Sequence, residues 1–89
     1  MTPLPIVVLI SGEGTNLQAI IDAAAAGSLP IAVRAVISNR PAAKGLARAG
    51  RAGIPTEVVD HRRYADRAAF DAALQAVIDR YSPVLVVLA

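Results

Sequence analysis

An open parallel α/β sheet with helices on both faces is the fold class that this 89-residue sequence predicts. Three observations predict it. Short, uninterrupted apolar runs recur along the chain, helical or small-residue stretches lie between them, and glycine, proline and polar clusters mark the joints. Runs of β-branched residues and leucine without alternation suit strands buried on both faces, and the crossovers that join such strands are right-handed. The expected arrangement is a single Rossmann-like domain with strand order 3-2-1-4.

The first strand is expected over residues 6–10, IVVLI. From Thr15 the period changes, because Leu17, Ile20, Ile21 and Ala24 recur at helical spacing, and this helix should stop at Gly27, with Ser28 and Pro30 after it. A second strand follows over residues 31–37, then SNRP as a turn, then a small-residue helix over residues 42–53 that closes at Gly53. The stretch IPTEVVD, residues 54–60, reads as a third strand. Between Asp66 and Tyr81 the residues Phe70, Leu74, Val77 and Ile78 form a helical stripe, and residues 84–88 are again a continuous apolar run. By composition this last strand is a central, fully buried one. The sequence stops at Ala89 with nothing to cover its other edge, so the chain is expected to be the first part of a longer one.

Composition bounds the function. A hydrophobic fraction of 55% builds one core at this length, and there is no cysteine and only one histidine, so disulfides, thiolate sites and a resident metal are not expected. The start MTPLPIVVLI lacks a basic leader region and is too short to span a bilayer, which predicts a soluble, cytoplasmic protein with no membrane partner. A net charge of +2 admits anionic ligands, while an aromatic content of 3% offers no stacking platform for nucleic acid. Small anions are the expected partners.

The stretch ISGEGTNL, residues 10–17, is the candidate site. In a sheet of this kind the turn after the first strand brings backbone N–H groups and a helix N-terminus to the binding crevice, and both favour phosphate. Gly12 and Gly14 would permit positive φ and a close approach to the backbone, and Thr15 followed by Gln18 fits a capping box. The same residues also suit a plain turn and a plain cap. A dinucleotide loop fits less well: Leu17 stands where a third glycine belongs, and no acidic residue closes the second strand. Arg40 could face a 2′-phosphate, which leaves an NADP-type or stand-alone phosphate-binding module without catalysis as the alternative. Asn16 and Glu13 suit a monophosphate better.

VVLISGEGTNLQAIIDA, AVISNRPAAKGLARAGRAGIPT and VVLA together resemble the N-terminal half of the phosphoribosylglycinamide formyltransferases, folate-dependent enzymes of purine synthesis. The likeness runs almost without gaps from Ile6 to Ala89, and it rests on S-G-x-G-[ST]-N-L combined with S-N-[RK]-x-x-A-x-G-L. It implies formyl transfer from 10-formyltetrahydrofolate to the amino group of glycinamide ribonucleotide. It implies further that Gly14, Thr15 and Asn16 hold the nucleotide phosphate, that Arg67 contacts the formyl-folate, and that Leu88 and Ala89 form the first edge of its pocket. Residues 1–89 are then the substrate-phosphate half of one formyltransferase domain. The asparagine, histidine and aspartate that the resemblance assigns to catalysis are expected beyond Ala89, so no catalytic residue falls in this segment and it should be inactive alone. His61 matches no catalytic position and is expected in solvent. Asp60, Asp66 and Asp71 read as turn, cap and helix-surface residues, and Glu13 should weaken phosphate binding slightly unless it points to water.

Overall fold

The computed structural model describes residues 2–89. Eight elements follow in chain order: β1 (Leu4–Ile10), α1 (Thr15–Ala26), β2 (Ile31–Ser38), α2 (Gly45–Arg51), β3 (Thr56–Val58), a 3-10 turn (His61–Arg63), α3 (Arg67–Asp79) and β4 (Leu85–Leu88). The four strands form one sheet in the order β3-β2-β1-β4, and every pair is parallel. This is the arrangement expected from the apolar runs and right-handed crossovers.

Alternation along the central strands divides the core in two. Ile6, Val8 and Ile10 of β1 and Val36 of β2 join Leu17 and Ile21 of α1 and Ala49 of α2 on one face. Val7, Ala35 and Ile37 pack on the other face with Val59 and with Ile78 of α3. Successive strand side chains point to opposite faces, so a strand with helices on both sides must be apolar throughout. Ile6, Val7, Val8, Leu17, Val36 and Ile37 are almost wholly buried, each contributing about 1.5–3 kcal/mol of transfer free energy.

The boundaries have local causes. Gly27 ends α1 in the left-handed region at φ 75°, where its N–H bonds Ala24 O and the Ser28 N–H reaches Ala23 O, as expected for a glycine stop. Asp66 caps α3 by accepting from the Ala69 N–H at 2.8 Å. The second helix is shorter than the 42–53 expected, because residues 41–44 form a turn that precedes Gly45. The third strand shrinks from seven expected residues to three. It is an edge strand whose only partner, β2, ends at Ser38, and Pro55 has no N–H to donate.

Thr15 and Gln18 do not form a capping box: Gly14 is the N-cap, at φ 80°, and no side chain caps the helix. Thr15 is already helical, so its hydroxyl is not placed to reach back over the first turn, and the Gln18 amide instead donates to Asp22 Oδ1 at 2.9 Å. The fourth strand lies at the edge of the sheet, paired with β1 alone, as the order 3-2-1-4 requires. Leu85, Val86 and Leu88 are exposed at 53%, 40% and 80%.

Candidate functional site

The C-terminal ends of the strands carry two adjoining features, one on each face of the sheet. The first is the loop from Ser11 to Gly14, which leaves β1 and enters α1. Gly14 alone of the two loop glycines has positive φ, so the expectation for Gly12 is corrected: its backbone is ordinary, and a Cβ there would meet nothing within 4 Å. Gly14 is held against α2. A Cβ on it would lie 2.6 Å from the Gly45 Cα, and a Cβ on Gly45 would lie 2.6 Å from Ile10 Cδ1 and 3.2 Å from the Gly14 Cα. Only two facing glycines allow this approach.

The close approach places hydrogen bonds. The Gly45 N–H donates to Gly12 O at 3.0 Å, and Arg48 Nε donates to Glu13 O at 2.9 Å. The N–H groups of Glu13, Gly14, Thr15 and Asn16 find no acceptor among the described residues. Four consecutive free donors at the start of a 12-residue helix suit an anion. Thr15 and Asn16 are exposed beside them. The Glu13 carboxylate pairs with Lys44 Nζ at 3.3 Å in solvent, which compensates its charge near the loop. Leu17, in the place of a third dinucleotide-loop glycine, is fully buried in the core, and Arg40 is exposed. A large core residue there keeps α1 farther from the sheet than a dinucleotide loop requires.

The second feature is a hollow of about 280 Å³ on the α3 face. Its floor is Leu9, Ile37 and Val59, its far wall is Phe70 and Leu74, and Leu88 and Ala89 form its open side. Arg67 stands at its rim, side chain 86% exposed, with Nε donating to Asp71 Oδ1 at 3.1 Å and the rest of its guanidinium free. A second hollow shares Asn39, Arg67 and Phe70 and adds His61, Tyr64 and Asp66. Tyr64 and Phe70 meet edge to face at 6.0 Å. The side-chain oxygen of Asn39 is buried between the hollows without a hydrogen-bond partner among the described residues.

The structure therefore groups the expected residues in two. Gly14, Thr15 and Asn16 lie at the loop, Arg67 with Leu88 and Ala89 at the hollow, and Ser11 lies in the lining where the two adjoin. His61 is exposed, its Nδ1 3.0 Å from Asn39 O. Asp60 accepts from the N–H and guanidinium of Arg62, and these bonds hold its carboxyl at about 2, below the usual carboxylate range. Both it and Asp71 serve structure. Sequence reading missed Asn39, Gly45 and Arg48. Asn39 and Gly45 both lie within S-N-[RK]-x-x-A-x-G-L, the signal that could have drawn attention to them.

The sequence profile described as formyl transferase matches residues 4–89. The chain belongs to that family. It is 51% identical over 84 residues to the phosphoribosylglycinamide formyltransferase of Escherichia coli, a match covering 94% of this chain and 40% of that protein. It is 48% identical over 84 residues to the bovine trifunctional purine biosynthetic protein adenosine-3, covering 94% of this chain and 8% of that protein. Among solved structures, glycinamide ribonucleotide transformylase 1 of Symbiobacterium toebii superposes with a TM-score of 0.94 at 49% identity, over 99% of this chain and 42% of that one. The phosphoribosylglycinamide formyltransferase of Coxiella burnetii gives 0.91 at 56% identity, over 98% and 41%. The formyl transferase chain thus spans about two fifths of the length of these bacterial relatives. Among its described residues no helix is long and apolar enough to cross a membrane, and no three His, Cys, Asp or Glu side chains are grouped to hold a metal.

Proposed function

We propose that this formyl transferase segment is the nucleotide-phosphate half of a cytoplasmic phosphoribosylglycinamide formyltransferase. The observation that carries the proposal is the row of four free N–H groups from Glu13 to Asn16 at the head of α1, in a chain about half identical to enzymes of that name. Gly14, Thr15 and Asn16 hold the phosphate of glycinamide ribonucleotide there, through backbone donors and the adjacent hydroxyl and amide side chains. The hollow beside the loop suits the folate. It combines apolar walls for a flat ring system, the free guanidinium edge of Arg67 for a carboxylate, and the Asn39 oxygen as an unclaimed acceptor.

10-Formyltetrahydrofolate supplies the formyl group when bound. The nucleotide's amine forms the new C–N bond to the formyl carbon as the bond to the folate nitrogen breaks, and the amine proton passes to the folate product. Residues 1–89 contribute position: the loop fixes the phosphate end on one face of the sheet, while Arg67 and Leu88 fix the folate on the other. Such orientation is worth several kcal/mol of the barrier in an intact enzyme. In this reading the role of residues 2–89 is to bind and orient the two reactants.

Calorimetric titration of the chain with glycinamide ribonucleotide and with its dephosphorylated nucleoside tests this reading. The nucleotide should bind at least tenfold more tightly. Equal affinity for the two, or no binding of either, would remove the phosphate role.

A further inference from the structure

The loop donors face outward for a reason that lies on α2. A trans peptide is planar, so its C=O and the following N–H point in opposite directions. The Gly12 carbonyl is tied to the Gly45 N–H at 3.0 Å, and the Glu13 carbonyl is tied to Arg48 Nε at 2.9 Å. Both carbonyls are therefore turned toward α2. The next N–H groups, those of Glu13 and Gly14, are turned away from it, toward the open side of the loop. The first tie is made by backbone and survives any side-chain change. The second depends on Arg48 alone.

Further contacts fix that arginine. Its Nη1 donates to Gln18 Oε1 at 3.4 Å, and a Cβ built on Gly14 would come within 3.3 Å of its Cδ, so the side chain lies directly behind the turn. The guanidinium bridges the loop and the first turn of α1, the two segments that carry the free N–H groups. Lys44 approaches the same loop only through the exposed Glu13 carboxylate, and Arg51, one turn further along α2, touches none of it.

We infer that Arg48 is the positioning residue of the phosphate loop: by holding the Glu13 carbonyl it aims the Gly14 N–H at the phosphate, without touching the ligand itself. This rests on the reading of the loop given above. A planar donor fork suits the task better than an ammonium, because one nitrogen serves the carbonyl while another serves Gln18.

The test is the calorimetric titration repeated on R48M, R48K and R51Q, with thermal melts alongside. R48M should lose about ten- to thirtyfold in affinity for glycinamide ribonucleotide, with its melting temperature within a few degrees of the parent chain. R48K should recover part of that loss, and R51Q, which removes the same charge from the same helix, should bind like the parent. In the dephosphorylated nucleoside titration all four chains should be alike. A parent chain that favours the nucleotide together with an R48M of equal affinity would overturn the inference and leave the loop's function standing. A parent chain that does not favour the nucleotide would overturn both. Should R48M not melt cooperatively, R48K decides: unchanged affinity refutes the positioning role, and a loss confined to the phosphorylated ligand supports it.

Discussion

The two faces of the sheet present unlike surfaces at their C-terminal ends. On the α1 and α2 side the loop is closed from behind: two glycines in contact, two carbonyls tied to the second helix and a buried leucine beneath. On the α3 side the hollow is open along Leu88 and Ala89, and the strand that borders it leaves three large apolar residues in solvent. The difference teaches how unlike the supports of the two proposed sites are within residues 2–89. The proposed anion site draws all its contacts from residues 10–48, whereas the proposed folate side has a floor, one wall and a charged rim.

If the closed side depends on the glycine contact, Gly14→Ala should break it. The new Cβ meets backbone at 2.6 Å and the residue must keep φ near 80°, so the loss should be about 2–4 kcal/mol of stability, read by urea denaturation, with phosphate binding abolished. On the open side the largest local effect expected from a polar residue is smaller. Asp66→Ala removes the only side-chain cap of α3 and should cost about 1 kcal/mol in the same measurement, leaving nucleotide affinity unchanged. Gly12→Ala sharpens the contrast within the loop. Its Cβ enters open space on an ordinary backbone, so stability should change by less than about 0.5 kcal/mol. A Gly12 variant as damaging as the Gly14 one would mean that the loop needs glycine flexibility throughout, and that the contact with Gly45 is not what shapes it.

Much of this contrast was written in the sequence, and the rest was not, for physical reasons. Strand order and the two-sided core follow from uninterrupted runs such as IVVLI, because apolar residues at every position demand helices on both faces. Gly27 and Asp66 could be read as helix ends because caps are local. The capping box misled because Thr-x-x-Gln looks the same whether the threonine is the cap or the first helical residue, and the left-handed Gly14 decides it. Arg48 and Gly45 were invisible as loop residues, since their contacts span more than thirty positions and depend on how α2 lies against α1. The uncovered edge of β4 was legible too, since the order 3-2-1-4 leaves this apolar strand a single neighbour.

The central claim is that the loop and the hollow bind different ends of one reaction, and an amide-resolved NMR titration tests it most directly. Glycinamide ribonucleotide should move the resonances of Gly14, Thr15 and Asn16 and leave those of Arg67 and Leu88 in place, while 10-formyltetrahydrofolate should do the reverse. Perturbation of the same residues by both ligands, or a loop that stays still when the nucleotide is added, would contradict the account.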